Sequence, residues 1–115
     1  MTVQPRAVGP TRALDLLYSA ALVDGTRAEA IGLVSRAVAP AQLEAEAWSY
    51  ALRLADGPPI AMALSKRGVA LSHERGLAEL LAWEAEAQSI CSRTADAREG
   101  VAAFLEKRPP IFRGR

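Results

Sequence analysis

The sequence predicts a mostly α-helical fold, and three observations carry that expectation. Alanine fills 24 of the 115 positions and leucine 14, and both are strong helix formers. Glycine and proline fall in clusters between runs whose apolar residues recur at three- and four-residue spacing. Only one short branched run, 33–38, reads as a strand. At this length the chain is a single domain. Only 29 residues are Leu, Ile, Val, Met or Phe, so the core is thin and closely packed helices suit it better than one large interior.

The elements follow in order. Gly9-Pro10 opens the first, with Thr11 as N-cap of a helix over Arg12 to Ala21. Ala13, Leu14, Leu17, Ala20 and Ala21 fall on one stripe of it, and Asp24-Gly25 breaks it. A short helix runs from about Gly25 to Ile31. Two caps compete for its start, Thr26 with Glu29 as a capping box and Asp24 one turn earlier. Gly32 stops it as a C′ glycine. Leu33, Val34 and Val38 then form a strand-like piece that needs a partner strand.

From Pro40 a helix extends to Ala55, with Leu43, Ala47, Tyr50, Ala51 and Leu54 along one face. Gly57-Pro58-Pro59 ends it, and the next helix starts at Pro59. Ile60, Ala63, Leu64 and Leu71 share a face there. Gly68 weakens that helix by roughly 1 kcal/mol against alanine, which a close packing contact explains. After Gly76 a helix from Leu77 to about Cys91 starts on Leu77, Leu80 and Leu81 and turns polar at Glu84 and Gln88. Thr94 and Asp96 open the last helix, with acid where the dipole favours it. Ala97, Val101, Phe104 and Leu105 form its expected buried stripe, and Pro109-Pro110 ends it.

Composition removes several function classes. The net charge is +1, so nothing draws the whole chain to nucleic acid or to an anionic membrane. A single cysteine, Cys91, and a single histidine, His73, exclude a disulfide framework, thiolate zinc and most histidine metal sites. No apolar run is long enough to span a bilayer, and Met1 to Gly9 lacks an apolar signal core. A cytoplasmic location is the expectation.

A set of residues then resembles a known family. Pro5-Arg6-Ala7-Val8-Gly9 precedes the first helix; Ala28 and Gly32-Leu33-Val34 lead to Val38 and Pro40; Pro58-Pro59 and Lys66 follow, then Glu84 and Gln88. The run Thr94-Ala-Asp96-Ala-Arg-Glu99-Gly100 continues into Phe104-Leu-Glu106-Lys107-Arg108-Pro-Pro110-Ile-Phe112. In order and spacing these resemble the C-terminal part of the enoyl-CoA hydratase/isomerase family, the crotonases, whose fold is of the ClpP/crotonase type. The resemblance places residues 5–38 at the end of the family's spiral of ββα units and 40–115 in its helical, site-covering and oligomerising region, as one partial domain. It also implies Asp24 as the cap of the short helix.

What the resemblance implies for function is specific. The family hydrates or isomerises acyl-CoA thioesters through an enolate, needs no metal or redox cofactor, and brings coenzyme A in as part of the substrate. Its oxyanion-hole donors and acid/base carboxylates belong to the spiral. Only Met1 to Gln4 precede Pro5 here, and none is acidic, so no catalytic residue is carried over, and the chain reads as a truncated form. Phe104 and Lys107 resemble positions near bound coenzyme A, with Lys107 suited to phosphate. The expected partners are an acyl-CoA thioester, once a spiral half is supplied, and either further copies of the chain or a separate N-terminal half. The alternative is a non-catalytic helical interaction or oligomerisation module, the relic of a split crotonase.

The other chemistry-bearing residues read as structural. Glu84 suits a hydrogen bond or ion pair better than acid catalysis. Glu79, Glu86, Glu99 and Glu106 read as solvated helix faces. Ser72, His73 and Glu74 are adjacent in sequence and do not face one another on a helix. Cys91 reads as a small buried residue, and Trp48 and Trp83 as packing or interface anchors. The bases after Glu106, namely Lys107, Arg108, Arg113 and Arg115, read as a frayed basic tail.

Overall fold

The computed structural model describes residues 3–115, with side chains from Pro5 onward. Helix accounts for 69% of the chain, and no strand occurs among the described residues. The helices are α1 (Val3–Val8), α2 (Pro10–Ser19), α3 (Gly25–Ala30), α4 (Leu43–Ala55), α5 (Pro59–Leu71), α6 (Leu77–Ser92) and α7 (Ala95–Glu106), with a 3₁₀ turn at Pro40–Gln42 ahead of α4. They fall into two compact units, Met1–Trp48 and Ser49–Arg115.

In the first unit α1 and α2 pack together around Val8, Ala13 and Ile31, flanked by Leu16 and Leu33. Three local expectations change here. A short helix, α1, occupies Val3–Val8, where none was anticipated. The cap of α2 is Gly9 rather than Thr11, because Pro10 takes the first helical position, where its missing N–H is no loss. Finally α2 ends at Ser19, with Ala20 in the left-handed region at φ 50°.

The start and stop of α3 follow the side-chain chemistry. Asp24 Oδ1 accepts the Arg27 N–H at 2.7 Å, so Asp24 is the cap. Gly32 adopts φ +78°. The Gly32 N–H reaches the Glu29 carbonyl at 3.0 Å and the Leu33 N–H the Ala28 carbonyl at 2.8 Å, the paired bonds of a Schellman stop. Glu29 is no capping-box residue; its carboxylate accepts the Ala37 N–H at 3.1 Å. Residues 33–38 are therefore bends and irregular backbone rather than a strand. Of their backbone groups, the Ala37 N–H is taken by an α3 side chain and those of Leu33 and Val34 by the Ala28 carbonyl.

In the second unit α6 packs between α5 and α7. Gly68 explains the approach of the first pair: a Cβ there would lie 3.1 Å from Trp83 Nε1. The glycine anticipated as a close contact is one, and Arg67 stacks its guanidinium over the same indole at 4.9 Å. The packed side of α5 carries Ile60, Ala61, Met62, Leu64, Gly68 and Leu71, while Ala63 is exposed. At the start of α6 the Glu79 carboxylate accepts the Gly76 N–H at 3.3 Å, so Glu79 works as a cap rather than a free surface acid.

No residue of α4, α5 or α6 is buried. The α4 face exposes Leu43, Tyr50 and Leu54, and Trp48 is 68% exposed. No helix among the described residues is long and apolar enough to cross a membrane.

Candidate functional site

Helix α7 organises the second unit's most polar region. Thr94 caps it, its hydroxyl accepting the Ala97 N–H at 3.0 Å and donating to the Cys91 carbonyl at 2.7 Å. The first turn is closed from outside as well. The carbonyl of Arg115 accepts from the N–H groups of Ala95, at 2.6 Å, and Asp96, at 3.2 Å. Asp96 is only 5% exposed, and its two carboxylate oxygens accept the N–H groups of Arg113 and Gly114 at 2.7 and 2.8 Å. The carboxylate thus sits in the first turn, where the helix dipole favours it, and also anchors a C-terminal strap.

Farther along the helix, Glu99 takes Arg108 in a two-pronged ion pair at 2.5 and 3.0 Å. It also accepts the Ile111 N–H at 2.9 Å. The Arg108 hydrogen bonds, then the Ile111 N–H, hold the Glu99 carboxyl down at about 2, well below its ordinary 4.5. The same contact with Glu99, helped by Glu106, raises the Arg108 guanidinium further above its usual value. Phe112 lies against Gly100, and Gly114, at φ +73°, lies so close to Pro59 that a Cβ would meet its ring carbon at 2.9 Å. The segment expected to fray is pinned at every second or third residue.

The strap also decides which face of α7 is covered. Ala103 is buried and Gly100, with Phe112 of the strap against it, half-buried, whereas Val101, Phe104 and Leu105 stand 63%, 83% and 73% exposed. The buried stripe expected on those three residues is therefore open. An apolar period identifies a face that needs cover. It does not say which element supplies the cover, and here the strap covers the other side.

Phe104 and Lys107 stand together at the C-terminal end of α7. Lys107 is the C-cap, in the left-handed region at φ 53° and ψ 40°. Its N–H and that of Arg108 close the helix onto Phe104 and Ala103 carbonyls at 3.3 and 3.0 Å. Among the described residues no carboxylate pairs with Lys107. The end of α7 thus carries an exposed ring and, three positions on, a lysine with no ion pair among the described residues.

The remaining candidates separate from that end. Glu84 and Gln88 line a groove of about 530 Å³ between α5 and α6, together with Ser65, Trp83 and Cys91. Glu84 is exposed and has no hydrogen bond or ion pair among the described residues, contrary to the structural partner expected for it. Cys91 is half-buried. Ser72 donates to the Val69 carbonyl at 2.7 Å and His73 sits in the exposed turn after α5, so no triad forms. No group of three or more His, Cys, Asp or Glu residues that would hold a metal ion occurs among the described residues.

Sequence reasoning missed two functional contacts of the strap. Glu99 and Arg108 are nine positions apart, outside any helical pairing rule, and Asp96 binds backbone N–H groups that leave no side-chain pattern. The available signal was an acid in the first turn of a helix followed by a second acid, with a glycine in the tail.

Similarity to known proteins agrees with this architecture. The sequence profile described as Enoyl-CoA hydratase/isomerase matches residues 1–115. A crotonyl-CoA hydratase of Syntrophomonas wolfei is 37% identical over 108 residues, 94% of this chain and 42% of that protein. Human mitochondrial methylglutaconyl-CoA hydratase is 37% identical over 114 residues, 96% of this chain and 34% of its own length. The crystal structure of an enoyl-CoA hydratase from Bacillus anthracis superposes with a TM-score of 0.89 at 33% identity, covering 97% of this chain and 43% of that one. The chain spans less than half the length of these relatives. Matched along its whole length in sequence and in fold, the chain belongs to the enoyl-CoA hydratase/isomerase family.

Proposed function

We propose that this chain works as the site-covering and assembly part of an acyl-CoA hydratase or isomerase, and that it does no chemistry unaided. The reaction is addition of water to a 2-enoyl-CoA, or isomerisation through a thioester enolate. The enolate oxygen needs preorganised N–H donors, and the proton transfers need positioned carboxylates. Those groups come from the part of the relatives that this chain does not match. Phe104 packs against the coenzyme A portion of the substrate, and the Lys107 ammonium lies on a phosphate. No separate cofactor takes part, and the setting is cytoplasmic.

The observation that supports this reading most directly is the uncovered apolar surface. Large apolar side chains stand open on α4 (Leu43, Trp48, Tyr50, Leu54), on α6 (Leu77, Leu81) and on the Val101–Phe104–Leu105 face of α7. A spiral half, with further copies of the chain, covers them.

The test is co-expression with the spiral half of a related hydratase, followed by pull-down and a crotonyl-CoA hydration assay. The expected result is association, hydration only in the complex, and weaker acyl-CoA binding by Lys107→Ala, more so at low salt than at high salt. Failure to associate would leave a non-catalytic helical module. Hydration by the chain alone would refute the division of labour. Association with unchanged coenzyme A affinity in Lys107→Ala would remove the ligand contact and keep the packing role.

A further inference from the structure

The strap is fastened as a separable segment. Ile111 donates its N–H to Glu99, Arg113 and Gly114 donate theirs to Asp96, and the Arg115 carbonyl accepts from Ala95 and Asp96. These hydrogen bonds all end on the first half of α7. The apolar contacts lie beside them, Phe112 against Gly100 and Gly114 against Pro59. The receptor for the strap is thus one stretch of helix with one neighbouring proline, and a second copy of the chain carries the same receptor.

The connection between receptor and strap is short and strained. Lys107, Arg108, Pro109 and Pro110 are all exposed. Lys107 is one of two non-glycine residues at positive φ among the described residues, a region where the side chain crowds the following carbonyl. Pro109 and Pro110 have no N–H with which to hold the reversal. When the connection straightens, Lys107 becomes helical and Arg108, ahead of a proline, becomes extended. The Lys107 and Arg108 N–H groups, which close the helix on the Phe104 and Ala103 carbonyls, then pass to Ala103 and Phe104 in ordinary helical pairing. Opening therefore costs no backbone bond at the helix end. What it loses is the seat of the strap and the Arg108–Glu99 pair, and a second copy offers both again. Short hinges under strain favour such an exchange.

The position of the hinge is a second, independent observation. It follows directly on the open Val101–Phe104–Leu105 face. Four extended hinge residues span about 13 Å, so exchange draws the C-terminal ends of two α7 helices together and brings these apolar faces to a two-fold contact. We infer that two copies of the chain exchange their C-terminal straps, Ile111 to Arg115 of each seating on Asp96 and Glu99 of the other, to form a dimer. This goes beyond the acyl-CoA reading and does not rest on it. Exchange belongs to the free chain, and a spiral half that covers Phe104 competes with it.

The test uses full-length variants. Asp96→Asn/Glu99→Gln spoils the receptor and keeps the strap. Phe112→Ala/Gly114→Val spoils the strap and keeps the receptor, because valine is strained at φ +73° and meets the Pro59 ring. In an equimolar mixture an intact strap finds an intact receptor only on the other copy. Trypsin removal of Gly114-Arg115 from Asp96→Asn/Glu99→Gln, followed by mass, is expected to slow by about tenfold in the mixture relative to that variant alone. No slowing overturns the exchange. Simple adhesion of apolar faces gives no slowing either, since it leaves the strap unseated. For the parent chain, sedimentation is expected to show a dimer that Lys107→Gly weakens by at least about tenfold, because glycine takes the closed hinge without strain in both copies. A parent chain that stays monomeric at every concentration, or a dimer equally strong in Lys107→Gly, overturns the proposal.

Discussion

Replacing Asp96 by asparagine should unfasten the C-terminal strap while leaving α7 helical. The carboxylate is almost wholly buried and takes two backbone N–H groups, at 2.7 and 2.8 Å, one on each oxygen. A hydrogen bond to a charged group contributes about 1.5–3 kcal/mol, and a buried donor left without an acceptor costs about 1–3 kcal/mol. Asparagine retains one oxygen, so it preserves one bond in weaker, uncharged form. Its amide group then faces the second N–H, donor against donor. The closed strap should lose about 3 kcal/mol, equivalent to roughly a hundredfold larger open population. Tryptic removal of Gly114-Arg115 measures this, since cleavage after Arg113 tracks the open fraction when reclosing is fast. Mass spectrometry should show cleavage accelerated by up to about a hundredfold, with unchanged helical circular dichroism. A rate within about threefold of the parent would refute the idea that Asp96 holds the strap.

Three further outcomes follow from the same contacts. The Glu99 carboxyl is held at about 2 in the folded chain against an ordinary 4.5; its contribution is therefore present in full above about 4.5 and is lost as pH falls toward 2, so thermal melts should soften across that window and Glu99→Gln should flatten the dependence. Gly68→Val should destabilise the packing of α5 on α6 by about 1–3 kcal/mol in urea titrations, because its Cβ would press on Trp83 at 3.1 Å; Gly68→Ala should sit near balance, since the helix gains about 1 kcal/mol, and equal stability of valine and glycine would disprove the close approach. The chain alone should self-associate and bind hydrophobic dyes through its open α4 and α7 faces, and a dye-silent monomer at high concentration in sedimentation would contradict that.

The helix order was legible because proline and glycine mark it. Pro40, the Gly57-Pro58-Pro59 run, Gly76 and Thr94 each stand at a boundary in the structure. Gly68 was legible for a related reason, since a glycine inside a helix is a cost that a close neighbour explains. The covered face of α7 was not legible. Periodicity located the apolar stripe of Val101, Phe104 and Leu105, but that stripe stands exposed, and small residues such as Gly100 and Ala103 form the packed side instead. The strap escaped notice because, apart from the Arg108–Glu99 ion pair, backbone N–H groups hold it, and every residue but proline has one. Of the candidate site, the position of Phe104 and Lys107 at the helix end was readable. Their bond to a ligand rests on family resemblance, since neither residue type is diagnostic.

The hydrogen bond from the Ala95 N–H to the Arg115 carbonyl joins the first amide of α7 to a carbonyl twenty positions later. Residues 95–115 therefore form a closed circuit, fastened at both ends and pinned in the middle by the contacts of Glu99 with Arg108 and Ile111. Such a circuit opens as a unit. Releasing Arg115 frees the Ala95 and Asp96 amides, and releasing Asp96 frees those of Arg113 and Gly114, so each loss removes the support of the next. The amides of Ala95, Asp96, Arg113 and Gly114 should then share one opening free energy in hydrogen exchange, the behaviour of a small cooperative folding unit rather than of a helix with a loose end.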